Sequence, residues 1–388
     1  MPGRERLDEV PPELEPTVEI EQAGTRLIGD PRRLLAVLAA FLLLIVGIYF
    51  LLPKVVGMHD ALRRLGDPSW PWIAIAVAFN AASFVAYAVL FRSVLGGADE
   101  RTDIYRRLDL KTSYNITLAG LAASTLFSAA GAGGVALTYW ALRKAGMERR
   151  RAACRMVAFL VLLYSVYAAS LIVFGLLLRT GVLNGKSPAG GTIVPAAVGA
   201  VMFGLVGLLA LIPGDLERRL ERLEHRPRTA RIARRLAAGP ATVATGVRTA
   251  LDNLRHPRRG SRAIAGAVGY WAGMVGILWA SFHAFGGHVP LGVVVQGFFV
   301  GMAANLAPSP AAGVGTLDAG LIGAFLLFDI PSGTVFPAIL AFRIVGFWLP
   351  IVPGLVSYFL LRRQVNGWQD EDGERAYTTK SKVTAEAK

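Results

Sequence analysis

Eight apolar blocks divide this chain, each longer than the roughly 18 residues that mark a candidate bilayer-spanning helix. They are Leu34–Leu52, Trp70–Leu95, Thr112–Leu142, Ala152–Leu178, Thr192–Ile212, Ala263–Phe285, Leu291–Ile330 and Val335–Leu361. In a soluble protein, apolar residues recur with a helix or strand period, because one face is buried and the other is wet. Here they run on without that period, so what surrounds them is apolar too. Hydrophobic residues make up 54% of the 388 positions and mean hydropathy is +0.48. The chain reads as an all-α polytopic membrane protein.

Its formal net charge of +14 suits either nucleic acid or the anionic face of a membrane. The apolar blocks favour the membrane, and the most basic stretch, ERRLERLEHRPRTARIARRL, lacks the interleaved aromatics or motif of a nucleic-acid binder. No nucleic-acid partner is expected. The lone Cys154 excludes an intrachain disulfide and a cysteine-cluster metal site. The first apolar run begins only at Leu34 and is followed by LPKVVG rather than a small-residue cleavage site, so it reads as a permanent span. The flanks, 1–29 and 364–388, are charged and read as disordered cytoplasmic tails.

Arginine and lysine placement sorts the loops by side. Arg32 and Arg33, the loop with Arg101, Arg106, Arg107 and Lys111, the loop with Arg143 to Arg155, the connector 213–262 and Arg362–Arg363 are all assigned to the cytoplasm. Both termini are then cytoplasmic. The block Thr112–Leu142 must enter and return on one side, and its second leg, Gly134–Leu142, spans only about 13 Å as a helix. It reads as a re-entrant hairpin turning at Gly131, Gly133 and Gly134. The block Leu291–Ile330 begins and ends on the opposite side and reads as a second hairpin, turning at Pro308–Gly315; two short full spans satisfy the same parity. The expectation is six full spans and two oppositely inserted hairpins, a pseudo-inverted repeat within residues 30–363. Paired interrupted segments of this kind point to a central binding site.

Where a helix begins inside the membrane, its free N–H groups and glycine-rich approach suit an anion such as phosphate. That makes Ser128, Gly131, Gly133, Gly134 and Thr138 candidates at the first tip, and Asn305, Ser309, Gly313 and Gly315 at the second. Small residues also serve tight helix packing, and single polar groups such as Asn80 also serve interhelical hydrogen bonds. Asp318 and Arg343 are the strongest signals, because an ionisable side chain at membrane depth costs about 2.5–3.5 kcal/mol when it faces lipid. Arg343 can hold a phosphate with Asp318 orienting it, or the two can form a structural ion pair. No paired-carboxylate, metal-ligand, P-loop or nucleophile-elbow arrangement is present, so no enzyme, metal or cofactor is expected.

The stretches NLAPSPAAGVGTLDAGLIGAF and ILAFRIVGFWLPIVPGLVSYFLLRR resemble the lysylphosphatidylglycerol synthase transmembrane-region family, with Gly313, Gly315, Asp318, Arg343 and Pro350 at the matching positions. The family more often has Glu where Asp318 stands. At the first hairpin, relatives often carry a Gly-Arg-x-Gly-Glu type turn, whereas this chain has Gly131, Ala132, Gly133, Gly134 and Val135. The resemblance implies a flippase-like bacterial inner-membrane protein without the soluble aminoacyl-transferase domain, which moves an anionic phospholipid or polyprenyl-phosphate-linked lipid between leaflets. Its partners would be membrane lipids and a separate lipid-modifying enzyme or glycosyltransferase. A secondary transporter of a small anion or amino acid, and a non-transporting scaffold for a cell-envelope enzyme, are the other readings.

Overall fold

A computed structural model describes residues 68–96, 103–126, 132–211, 242–306 and 315–386. All regular structure among these residues is helical. In order these are α1 (Trp70–Leu95), α2 (Asp103–Arg107), α3 (Leu110–Leu126), α4 (Ala132–Lys144), α5 (Arg149–Arg179), α6 (Ile193–Leu211), α7 (242–255), α8 (Pro257–Ala284), α9 (Leu291–Met302), α10 (Thr316–Leu327), α11 (Ser332–Arg343) and α12 (Ile351–Glu386). Five segments are long and apolar enough to cross a membrane: α1, α5, α6, α8, and the continuous run Ser332–Trp368. They coincide with five of the six expected spans. The sixth, Leu34–Leu52, lies outside the described residues, as do the tail 1–29 and the basic stretch of the connector.

Burial separates a core from a rim. The apolar window of α6 is only 11% buried, and its Leu205, Leu208 and Leu211 face outward, as lipid-facing residues do. The Ser332–Trp368 window is 72% buried, the most of the five. Its neighbours include α8, whose Trp271 anchors an aromatic cluster. The Trp271 indole N–H donates to the Leu163 carbonyl at 2.8 Å, and the neighbouring Tyr167 hydroxyl donates to the Phe299 carbonyl at 2.7 Å. Both polar tips are therefore satisfied inside an apolar core.

The most extensive helix contact is between α1 and α8, which run antiparallel. Gly266, Gly269, Gly273 and Gly276 make it possible. A Cβ at Gly266 would lie 2.6 Å from the Leu90 backbone nitrogen, and one at Gly273 would lie 3.0 Å from the Phe79 carbonyl oxygen. Small residues let backbones approach this closely, which is how helices associate where lipid removes the hydrophobic driving force.

Two shorter helix pairs are also antiparallel. Gly134 on α4 meets Gly120 and Ser124 on α3; Gly301 on α9 meets Leu321 on α10, and Gly297 meets Phe325. Helices α9 and α10 have 12 residues each, about 18 Å of rise, against a hydrocarbon core of about 30 Å.

The segment from residue 364 onward is not an irregular tail: α12 runs on as helix to Glu386. Its charge hides two apolar residues at helical spacing, Val365 and Trp368, both buried. Gln364 donates to the Thr112 hydroxyl at 2.8 Å, and the Arg107 guanidinium lies over the Trp368 ring at 5.8 Å. These contacts anchor the extension to α2 and α3.

Candidate functional site

The last apolar span is broken, and its break builds the site. Pro350 has no N–H to offer the Gly346 carbonyl, so a regular helix cannot continue through it. The backbone widens to a π-turn over Ile344–Trp348, in which the Leu349 N–H donates to the Ile344 carbonyl at 2.8 Å. In an α-helix that N–H would go to Val345. The Val345 carbonyl is instead taken by the buried Asn80 side chain of α1, which donates from Nδ2 at 2.8 Å. Every buried backbone group needs a partner, and Asn80 supplies this one. Single-turn π-bulges frequently mark functional sites.

Arg343 is the residue immediately before the π-turn. It is fully buried, and its guanidinium stacks over the Phe347 ring at 4.6 Å. Its charge meets Asp318, which is 8% exposed: Arg343 Nε lies 3.0 Å from Asp318 Oδ1. The two atoms touch as an ion pair without a well-aligned hydrogen bond between them.

Asp318 belongs to the first turn of α10. The helix starts after Gly315, whose φ of +89° is a conformation that side chains other than glycine's rarely adopt. Asp318 Oδ2 accepts the Gly315 N–H at 3.0 Å, the carboxylate half of a capping box. One carboxylate therefore binds a helix N-terminus with one oxygen and a buried guanidinium with the other. Beside it, the Thr316 hydroxyl is buried and has no partner among the described residues. An N-terminal N–H, an arginine and a free hydroxyl are what a phosphate would bind. In this structure the carboxylate of Asp318 holds that place.

A family profile, the lysylphosphatidylglycerol synthase TM region, matches residues 32–354. The chain belongs to that family. Membership in the lysylphosphatidylglycerol synthase TM region family ties its function to membrane lipid, and the match takes in Gly315, Asp318 and Arg343. No curated protein matches the sequence.

Of the residues expected at the site, the structure brings together Gly315, Asp318 and Arg343. Asn305 lies within a short 3-10 turn, Ala303–Leu306, that follows α9. Ser128, Gly131, Ser309 and Gly313 lie outside the described residues. The first helix pair differs from its expected form: α4 begins at Ala132, so Gly133 and Gly134 lie within its first turn rather than in a bend. A Cβ at Gly133 would lie 2.6 Å from the Ala123 carbonyl oxygen, and the Gly134 N–H already donates to Ser124 Oγ at 3.0 Å. Thr138, one turn on, faces Gly120. These positions serve contact between α3 and α4. Thr316 and Phe347 escaped the sequence reading. The signal for Phe347 was its i,i+4 spacing from a charged residue in an apolar span.

Proposed function

We propose that the protein translocates an anionic lipid, a phospholipid or a polyprenyl-phosphate-linked lipid, between leaflets, by exchange of the Asp318 carboxylate for the lipid phosphate. The observation that carries this reading is the Asp318 bridge between the α10 N-terminus and the buried Arg343. A phosphate oxygen suits both partners of that carboxylate, and the Thr316 hydroxyl stands beside them. Release of Asp318 leaves Arg343 and the helix end for the headgroup, and its return expels the headgroup. In this reading the α3–α4 and α9–α10 pairs are re-entrant hairpins inserted from opposite faces, since helices of 12 and 13 residues are short for a bilayer. Irregular backbone at membrane depth is tolerated where protein or a polar cavity satisfies it. The arginine-rich ends of the helices then face the cytoplasm.

The test is reconstitution in liposomes with labelled phosphatidylglycerol, a labelled polyprenyl phosphate and labelled phosphatidylcholine, followed by leaflet-exchange measurement. The wild-type chain exchanges at least one of the two anionic lipids. Arg343→Ala abolishes that exchange, and Asp318→Glu, which keeps the charge, retains part of it. Unchanged exchange in a folded Arg343→Ala protein removes the proposed site.

A further inference from the structure

A second basic site lies at the other end of the α1–α8 seam, away from the Arg343 pair. The antiparallel packing that sets Leu90 against Gly266 also brings the C-terminal turn of α1 beside the first turns of α8. There a cavity of about 320 Å³ is lined by Val89, Arg92, Ser93, Tyr105, Leu110, Arg259 and Arg262. This volume falls at the small end of ligand pockets. The described lining holds three guanidiniums and no carboxylate.

Three like charges around one small space repel each other. An ordinary structural role would pair them with acids. Arg92 instead lies over the Tyr105 ring at 4.7 Å, and its Nε is buried without a hydrogen-bond partner. Gly96 leaves room for that ring, since a Cβ there would lie 3.0 Å from it. The ring holds the guanidinium in place but satisfies none of its N–H groups. An uncompensated buried donor is costly, so the arrangement calls for an acceptor that carries charge. Val89 and the exposed Leu110 form an apolar wall, and Val85, one turn below Val89 on the same face of α1, is also exposed. An anionic head above an outward apolar strip has the form of a lipid at the membrane interface.

We infer that this pocket binds a phosphate group, carried either by an anionic lipid of that leaflet or by a soluble phosphate. Basic pockets between membrane helices bind such headgroups. The site is independent of the exchange proposed at Asp318 and Arg343. It would hold an anionic lipid at the basic end of the bundle, where the sequence also concentrates its arginines.

The experiment uses the full chain in a neutral detergent. Native mass spectrometry measures retention of added phosphatidylglycerol and phosphatidylcholine, and thermal unfolding is followed with inorganic phosphate against chloride at equal ionic strength. Arg262 is exposed, so Arg262→Glu leaves folding intact while reversing one charge of the pocket. The wild-type chain retains one phosphatidylglycerol, and Arg262→Glu and Arg92→Gln each weaken retention, by about tenfold and fivefold respectively. Lys186→Ala, an exposed cation that belongs to neither site, retains it as the wild type does, which separates a loss at this pocket from the general effect of removing one positive charge. If phosphatidylglycerol and phosphatidylcholine are retained alike, while inorganic phosphate raises the unfolding temperature and Arg262→Glu abolishes the rise, the phosphate source is soluble. Equal phosphatidylglycerol retention and equal phosphate response in the wild type and Arg262→Glu overturn the inference.

Discussion

Asp318→Asn tests the ion pair without disturbing the helix start. An asparagine keeps an oxygen that can accept the Gly315 N–H, so the α10 cap survives. What it removes is the negative charge 3.0 Å from Arg343 Nε. Arg343 is fully buried and the Asp318 side chain is 11% exposed, so water offers little compensation. Removing one partner of a buried pair costs about 3–5 kcal/mol, because the buried charge that remains loses the opposite charge facing it. For a chain of this size, the lower end of about 2–4 °C per kcal/mol is appropriate, so Tm should fall by roughly 6–10 °C. Replacing both partners, Asp318→Asn with Arg343→Met, removes the buried cation together with the carboxylate and should recover most of that loss, since apolar replacement of a buried pair is often near neutral. Thermal unfolding of the four proteins in one detergent completes the double-mutant cycle. An Asp318→Asn protein within 2 °C of wild type, or a double variant as unstable as the sum of the single ones, refutes the argument that the two charges satisfy each other.

Gly134→Ala should destabilise the chain by about 1–3 kcal/mol, because its Cβ would lie 2.4 Å from Ser124 Oγ and 2.8 Å from the Gly120 carbonyl oxygen; a fall in Tm checks it, and no change would place α3 and α4 further apart. Asn80→Leu leaves the Val345 carbonyl without its side-chain donor and should cost about 1–2 kcal/mol, read in the same unfolding assay. Lys186→Ala removes an ion pair with Asp329 whose side chains are 69% and 60% exposed; a surface pair of this kind contributes little, so Tm should stay within error of wild type.

The sequence carried the spans plainly because a bilayer demands long apolar runs and the chain supplies them without ambiguity. It carried Asp318 and Arg343 for the complementary reason: a charge at that depth has to be explained. What it could not carry was the partner each residue meets. Gly133 and Gly134 looked like a bend because glycine serves bends and close packing alike, and only the positions of Ala123, Gly120 and Ser124 decide between them. The helix beyond residue 364 was hidden because Val365 and Trp368 are two apolar residues among many charges. The link from Asn80 to Val345 joins positions far apart in the chain, and it depends on a π-turn that composition does not announce. Arg92 lies near the end of an apolar block, where a lone arginine reads as a boundary; its cavity appears only when α8 is laid beside it.

The glycine contact between α1 and α8 has a mechanical consequence. At Gly266 the seam rests on backbone, and at the other glycines on Ala86, Ser83 and Phe79, so little space is left to absorb sliding and the two helices form one stiff plank. A bend in the bundle has to pivot elsewhere. The widened turn at Ile344–Trp348 is suited to be that pivot, because its hydrogen bonding is already irregular and Asn80 fastens it directly to the plank.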